Sequence, residues 1–369
     1  MLLILLLSLG VTLSANAEEL PDLYGVSLGA KSTQSGAAVK SPSPFDNNII
    51  EENSFTVTVK RTTASAAVLA WSSSELYLSY TLCRYNIITQ TWEALLTTSE
   101  TTATVRGLQQ NTQYAFAVMN GINGEILGTV QAKTKVRVAS VTVADRSSGS
   151  IELAFHNIPQ DATVLVLRST DGTTYRRIAV TKEAHYTDTD VEEATAYYYK
   201  VKCKVTLNGK TSKSKASEAV QTSTLRSFGL PSVSGACKTY AYYTAVTARR
   251  SPQYKLLHSD ACYTDPETGI RMVDGYYCVA LGSYYGTKIG TKYKITLDDN
   301  GTLRTINVIL CDQKSNRHTD ANHQYARNNS DIVEFYVEKR RIPKGIRGDY
   351  GRLEQFRGNV VAIEQYIDD

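Results

Sequence analysis

The chain has 369 residues, a size that indicates two or three domains. With 42% hydrophobic and 21% charged residues, the composition excludes a disordered or collagen-like chain. The formal net charge of +4 is small for this length, so charge alone does not indicate a nucleic-acid partner. The count of 24 Tyr against 7 Phe is unusual, and tyrosine suits both β-structure and contacts to sugars or partners.

The first 17 residues read MLLILLLSLGVTLSANA, an apolar run that ends in a small-residue pattern. This pattern is typical of a secretory signal peptide, although no Lys or Arg precedes it. The run is shorter than the roughly 20 apolar residues that a membrane-spanning helix needs. We therefore expect an exported chain, either secreted or associated with a cell wall, without a stable membrane anchor. Residues 18–50 are rich in Ser, Gly, Ala and Pro and are predicted to be a flexible linker.

Residues 51–135 are predicted to form an antiparallel β-sandwich. Apolar and polar residues alternate from Phe55 onwards, and further short strand patterns contain Trp71, Tyr80 and Phe116. Turn signals such as Asn-Gly separate these patterns, and helical periodicity is absent.

Residues 136–224 repeat the same plan. Leu108 precedes Tyr114 by six residues, and Val191 precedes Tyr197 by six, which gives an offset of 83 residues between the two units. Each of the two tyrosines is followed by an aromatic residue at +2 and a valine at +4. A second sandwich of about the same length is therefore predicted.

The segments GLQQNTQYAFAV and VEEATAYYYKV resemble the Leu, Thr, Tyr and Val signature of fibronectin type III domains. Trp71 sits where that family places its core tryptophan, and Phe155 takes the corresponding place in the second unit. The resemblance implies that Tyr114 and Tyr197 each form the corner hydrogen bond of such sandwiches. It also implies a role as spacers or binding modules.

The composition changes after residue 224. Residues 225–369 contain 14 of the 24 tyrosines, four of the six cysteines and the whole excess of positive charge. Strand-like runs continue, and the sequence DDNG at 298–301 predicts a hairpin turn between two of them. A small closed β-barrel is the predicted product. The predicted strands begin at Tyr276, Lys292, Thr305, Ile332 and Asn359.

Six cysteines in an exported chain permit disulfides. Cys83 and Cys203 fall in different predicted domains and are predicted to be buried free thiols. The other four allow three pairings, of which the local Cys237–Cys262 and Cys278–Cys311 are favoured. No C-x-x-C pattern occurs, so a zinc site is not indicated.

The motifs of the C-terminal region resemble those of the double-psi β-barrel superfamily of cell-wall lytic transglycosylases and expansins, including its three-aspartate branch. The matching features are an apolar pair at Ala280, the sequence IGT at 289–291 that opens a strand, Asp312 at the end of the next strand and Asp331 before the last barrel strand. The resemblance implies a six-stranded barrel, so the predicted fold class is all-β throughout.

This resemblance implies a site for peptidoglycan-like glycan with Asp312 and Asp331 as catalytic residues. Asp312 would be the acid that protonates the leaving oxygen of a glycosidic bond, with its pKa raised by burial in a cleft. In a lytic transglycosylase the sugar's own 6-hydroxyl then closes onto the anomeric carbon. A hydrolase would need a second carboxylate, from Asp331, Asp320 or Glu334. The residues expected to bind substrate are Tyr284, Tyr285, Lys314, His318 and Asp320.

Several alternatives stay open at this point. The barrel could bind polysaccharide without cleaving it, as expansins do, or the sandwiches could serve adhesion. The expected partner is cell-wall polysaccharide or peptidoglycan, not nucleic acid, and the oligomeric state is unknown. No cofactor and no metal site are expected, although His318 and His323 lie five residues apart on one loop.

Overall fold

Two β-sandwiches and a strongly curved C-terminal sheet make up the described part of the chain. The structure is a computed structural model that describes residues 55–73, 76–207 and 209–367. The fold is all-β, as the sequence predicts. The predicted signal peptide and the predicted linker, residues 1–50, lie outside the described residues.

The first sandwich consists of a three-stranded and a four-stranded sheet. Its strands are β1 (Val57–Thr62), β2 (Ala67–Trp71), β3 (Tyr80–Asn86), β4 (Thr91–Thr98), β5 (Thr102–Val105), β6 (Gln113–Asn120) and β7 (Ile126–Lys133). The strand orders are β1-β2-β5 and β4-β3-β6-β7, and every pairing within them is antiparallel. Alternate residues of both sheets meet in one core that contains Trp71 and Phe116, as predicted.

The second sandwich repeats this strand order. Its strands are β8 (Ser140–Arg146), β9 (Ile151–His156), β10 (Thr163–Ser169), β11 (Arg176–Thr181), β12 (His185–Asp188), β13 (Ala196–Leu207), β14 (Lys210–Lys213) and β15 (Val220–Ser223). One sheet has the order β12-β9-β8 and the other β11-β10-β13-β14, with β15 also paired to β13. Phe155 lies in the core, at the position that corresponds to Trp71.

Both sandwiches contain the predicted tyrosine corner. The backbone N–H of Gln109 donates to the hydroxyl of Tyr114 at 2.7 Å. The backbone N–H of Glu192 donates to the hydroxyl of Tyr197 at 2.8 Å. The matching corners and strand orders show that both units are fibronectin type III-like sandwiches.

The C-terminal region forms one mixed sheet. Its strands are β16 (Arg226–Ser227), β17 (Tyr240–Tyr242), β18 (Cys262–Thr264), β19 (Arg271–Val273), β20 (Tyr276–Leu281), β21 (Lys292–Asp299), β22 (Thr302–Gln313), β23 (Glu334–Val337) and β24 (Asn359–Gln365). A short helix, α1 (Pro252–Leu257), precedes β18, and single 3₁₀ turns span Tyr243–Ala245, Ser283–Tyr285, Lys339–Arg341, Tyr350–Arg352 and Glu354–Phe356. The central order is β17-β23-β20-β22-β21-β24, in which β17 pairs with β23 and β20 pairs with β22 in parallel. The predicted hairpin joins β21 to β22.

The two ends of this sheet approach each other around a core. Just before β17, the carbonyl of Ser234 accepts a hydrogen bond from the backbone N–H of Val360 in β24, at 2.8 Å. The buried Lys238 donates across the same gap to the carbonyl of Gly358 at 2.9 Å. Inward-facing side chains of the central strands, including Phe335, fill the interior. The sheet is therefore curved enough to enclose its own hydrophobic core.

The second sandwich packs against the outside of this sheet. Lys294 of β21, which is 6% exposed, lies 2.6 Å from Asp145 of β8 and also donates to the carbonyl of Arg146. Glu364 of β24 accepts a hydrogen bond from the backbone N–H of Ser148 at 2.6 Å. Because two buried charged groups of the sheet are satisfied by the sandwich, the two units are held in a fixed relation.

Candidate functional site

The carboxylates named from the sequence come together at one end of β20, β22 and β23. Ala280 of β20 lies between Asp312 of β22 and Glu334 of β23, and it pairs in register with both. Asp331 precedes β23, and Lys314 follows β22. The curved sheet therefore gathers three acids and one lysine that lie up to 22 positions apart in the chain.

Asp331 is fully buried, and both of its carboxylate oxygens have polar partners. Its Oδ1 lies 2.5 Å from Lys314 Nζ. Its Oδ2 accepts hydrogen bonds from the hydroxyl and the backbone N–H of Thr239. Buried charges persist only when they are paired and hydrogen-bonded, and this arrangement meets that condition. Asp331 thus holds Lys314 and the start of β17 in place, and it is not open to solvent.

Glu334 is the carboxyl group most suited to carry a proton. Burial raises its pKa, the positive charge of Lys314 at 3.9 Å partly opposes this, and the negative charges of Asp331 and Asp312 raise the pKa further. Its side chain is still 28% exposed. A partly exposed carboxyl with a raised pKa can exchange a proton with a bound molecule, which is the requirement for a general acid.

Glu334 faces a cleft, here called the Lys314 cleft. The cleft has a volume of about 490 Å³ and is bounded by Thr239, Glu334 and the segments 314–319 and 326–331. His318 and Arg327 line it as exposed side chains. The volume lies in the range of small-ligand sites, and the lining offers hydroxyl, amide and cationic groups that can bind a polar ligand.

Asp312 lies on the other side of Ala280 and lines a different depression. Its Oδ2 accepts a hydrogen bond from the hydroxyl of Tyr336, and its Oδ1 accepts one from the backbone N–H of Gln313 at 2.8 Å. The depression is formed with the segment 245–253 and has a volume of about 460 Å³. Asp312 and Glu334 are thus neighbours in the sheet that open to separate clefts.

Asp320 and the two histidines lie on the loop beside the Lys314 cleft. Burial alone would raise the pKa of Asp320, but hydrogen bonds from the backbone N–H groups of Tyr325, Gln324 and Asn322 outweigh this and lower it. Asp320 therefore caps its own loop. His323 is hydrogen-bonded to Thr319 at 3.0 Å, whereas His318 lines the cleft. Within the described residues, no three His, Cys, Asp or Glu side chains are grouped so that they could hold a metal ion.

The tyrosine pair at 284–285 does not line the Lys314 cleft. Tyr285 is fully buried in the core of the C-terminal sheet. Tyr284 is 44% exposed and packs edge-on against Phe228 and Tyr285. Of the two rings, only that of Tyr284 is therefore accessible to a sugar, and it is not part of the cleft that Glu334 faces.

The two predicted disulfides are not present, and all six cysteines, which lie within the described residues, are free thiols. Cys278 is in hydrogen-bond contact with both Cys262 and Cys311 in a buried cluster. Local spacing favours the pairs Cys237–Cys262 and Cys278–Cys311. Cys278 and Cys311 do meet, on the paired strands β20 and β22, but they form no disulfide, and Cys262 of β18 joins this cluster while Cys237 lies outside it. Cys83 and Cys203 are buried free thiols, as predicted.

No helix in the described part of the chain is both long and apolar enough to cross a membrane. The sequence matches no protein-family model and no curated protein.

The chain is similar to several solved structures. One is a two-domain fibronectin type III segment of chicken tenascin, which is 15% identical with a TM-score of 0.36, and the match covers 46% of this chain and 98% of that chain. The chicken CNTN1 FN1–FN3 domains are 14% identical, with a TM-score of 0.26 and coverages of 69% and 83%. The central fibronectin-III array of RIM-binding protein is 16% identical, with a TM-score of 0.21 and coverages of 50% and 73%. The fold assignment rests on the strand orders and tyrosine corners described above.

Proposed function

We propose that the C-terminal sheet is a double-psi-type barrel that binds and cleaves a peptidoglycan-like glycan, with Glu334 as the general acid. The observation that carries this proposal is the raised pKa of Glu334 at the edge of an open polar cleft. Asp312, the acid expected from the sequence, has both of its oxygens engaged by hydrogen bonds and opens to another depression. Glu334 therefore takes the role that the sequence assigns to Asp312.

The reaction proceeds by a proton transfer and an intramolecular closure. Glu334 gives its proton to the leaving glycosidic oxygen while the bond from that oxygen to the anomeric carbon breaks. The 6-hydroxyl oxygen of the same sugar then bonds to the anomeric carbon, and its proton passes to the Glu334 carboxylate. The acid is thereby restored, the products are a free hydroxyl end and an anhydro sugar, and no water is consumed.

The sandwiches and the proposed export signal fit this role. We propose that the chain is exported to the cell wall and that the two fibronectin type III-like units act as spacers or binding modules. The contact between Lys294 and Asp145 supports a spacer role, because it holds the second sandwich and the C-terminal sheet in a fixed relation.

A second candidate is a module that binds polysaccharide without cleaving it. The oxygens of Asp331 and Asp312 are already engaged within the protein, which favours this alternative over a hydrolase, because a hydrolase would need a second carboxylate beside Glu334. A site that retains its glycan needs no second carboxylate.

The test is digestion of purified peptidoglycan sacculi by the full chain, with soluble products identified by mass spectrometry. We expect anhydro-sugar ends from the wild type and a loss of roughly 10²-fold or more in rate for Glu334→Gln. Glu354→Gln removes a carboxyl that is 79% exposed and lies outside both clefts, so it is the matched control and should keep full activity.

Three other outcomes would overturn parts of the proposal. Co-sedimentation with sacculi without any product would favour the binding module. Full activity in Glu334→Gln together with loss in Asp312→Asn would return the role of acid to Asp312. Neither binding nor product from the wild type would contradict both functions.

A further inference from the structure

A groove lies at the junction of the two sandwiches, outside the C-terminal sheet that carries the carboxylate cluster. It has a volume of about 850 Å³. Its walls come from Asn111 and three segments: residues 61–64 at the end of β1, residues 133–138 between β7 and β8, and residues 212–215 at the end of β14. We call it the junction groove.

The junction groove is lined by cations. All of its charged lining residues are basic and exposed to solvent: Arg61, Lys133, Lys135, Arg137, Lys213 and Lys215. Among the described residues, no Asp or Glu lines the groove, and none of the six cations forms an ion pair. Six uncompensated charges around one concave surface produce a strong positive potential, because charges of one sign in a cleft reinforce each other.

Alternation along the chain points these side chains into the groove. Lys133, Lys135 and Arg137 are exposed, whereas the intervening Thr134 and Val136 are buried. The same holds at β14, where the hydroxyl of Ser214 accepts a hydrogen bond from the backbone N–H of Cys203, at 2.9 Å, and leaves Lys213 and Lys215 exposed.

Hydrogen bonds fix the shape of the groove. The backbone N–H of Lys135 donates to the carbonyl of Thr63 at 2.9 Å, which attaches the connecting segment to the first sandwich. Val136 packs into the core of the second sandwich. Lys133 reaches across to the hydroxyl of Ser212 at 3.2 Å. The cations are therefore presented by a preformed surface, which lowers the entropy cost of binding.

We propose that the junction groove binds a linear anionic glycan, in which sulfate, carboxylate or phosphodiester groups repeat along a sugar chain. The cations would pair with the repeated anions, and the polar groups of Thr62, Asn111 and Ser212 would bind sugar hydroxyls. No aromatic side chain lies among the described lining residues, so a surface for stacking nucleic-acid bases is missing. This site is independent of the proposed chemistry at Glu334.

The experiment measures binding of the full chain to five polymers: heparin for sulfate, polygalacturonate for carboxylate, poly(glycerol phosphate) for phosphodiester, dextran as the neutral glycan, and duplex DNA as the nucleic acid. We expect binding to at least one of the first three polymers, weakened by added salt, and none to dextran. The triple variant Arg61→Gln, Lys135→Gln, Lys213→Gln removes one cation from each wall and should weaken that binding by about tenfold or more.

The matched control replaces three exposed cations outside the groove, in Arg106→Gln, Lys182→Gln, Lys344→Gln. It should bind as the wild type does, and circular dichroism should show that both triple variants are folded.

Equal weakening of binding in the two triple variants would overturn the proposal, because binding would then depend only on the net charge of the chain and not on the groove. Binding to dextran as tight as to the anionic polymers would overturn it as well. Tighter binding to duplex DNA than to every anionic glycan would reject the glycan as the ligand. Because neither variant alters the Lys314 cleft, failure here leaves the sacculus assay unaffected.

Discussion

Lys314 Nζ lies 2.5 Å from Asp331 Oδ1 beneath the cleft that Glu334 faces, and both side chains are buried. Removing one partner of a buried pair strands the other charge and costs about 3–5 kcal/mol. We therefore expect Lys314→Met to lower the free energy of unfolding by that amount, measured by urea denaturation. The exposed Lys344→Met should change it by less than about 0.5 kcal/mol. Equal effects of the two variants would show that Thr239 alone satisfies Asp331.

Glu334 makes stability depend on pH in a defined direction. Its pKa is raised above the ordinary 4.5, so the folded state keeps a proton that the unfolded state loses. Glu334 makes its whole contribution to the free energy of unfolding below pH 4.5, and this contribution is lost as pH rises through the pKa of the folded state. Glu334→Gln removes the titration, so the variant should gain stability relative to wild type as pH rises above 4.5, until the pH has passed the folded pKa of Glu334. Urea denaturation at several pH values tests this, and a difference that does not vary with pH would contradict it.

Lys238 also makes stability depend on pH, but its contribution changes in the opposite direction to that of Glu334 and at higher pH. Burial lowers its pKa from 10.5 to about 8, and the nearby charge of Asp349 partly opposes the shift. Between those two pH values the unfolded state binds more protons, so this group's contribution to stability rises with pH. Lys238→Met lacks that contribution, and it also leaves the carbonyls of Gly235, Ala236 and Gly358 without their donor.

We expect Lys238→Met to be destabilised by about 1–3 kcal/mol at pH 7. The difference in free energy of unfolding between the wild type and Lys238→Met should increase as pH rises from 8 towards 10.5. Guanidinium denaturation of the two proteins measures it. The other groups that titrate there are common to both proteins and cancel in the difference. A deficit that narrows with pH would refute the assigned burial of the ammonium group.

The tyrosine corners should contribute separately to the two sandwiches. Tyr114→Phe and Tyr197→Phe each remove one hydrogen bond from a backbone N–H while keeping the ring. Each change should lower the free energy of unfolding by about 0.5–1.5 kcal/mol. Because the two sites lie in different cores, the double variant should show the sum of the single effects. Clear non-additivity would contradict this and would indicate that the two corners are energetically coupled.

The thiols can be counted directly. With no disulfide present, the unfolded chain should react at all six cysteines without reductant, as read by intact-mass labelling. The two predicted disulfides would instead leave two reactive thiols. In the folded protein Cys237 is the one cysteine that is not buried, so it should label first. Burial raises its pKa and should slow the reaction compared with a free thiol.

Much of the local structure follows from the sequence alone. Strands such as β2, β6, β20 and β21 are predicted because alternation with period two depends only on neighbouring residues. The repeat offset places Tyr114 and Tyr197 correctly, since the corner hydrogen bond spans just five residues. The disulfide prediction fails for the converse reason. It assumes that nearness along the chain means nearness in space. Cys278 and Cys311 do meet on paired strands, but Cys262 lies beside Cys278 instead of Cys237, and no disulfide forms.

The sequence by itself determined the all-β class, the repeated sandwich and the stretch that holds the acids. Only the tertiary structure decided that the pKa of Glu334 is raised, because desolvation and charge act through space and not along the chain. Glu334 is raised by burial, while Asp331, three residues before it, is held by Lys314 and Thr239. The junction groove is likewise formed only by the tertiary structure. Residues 1–224 carry equal numbers of basic and acidic residues, so no charge excess marks it, and three distant segments bring its six cations together.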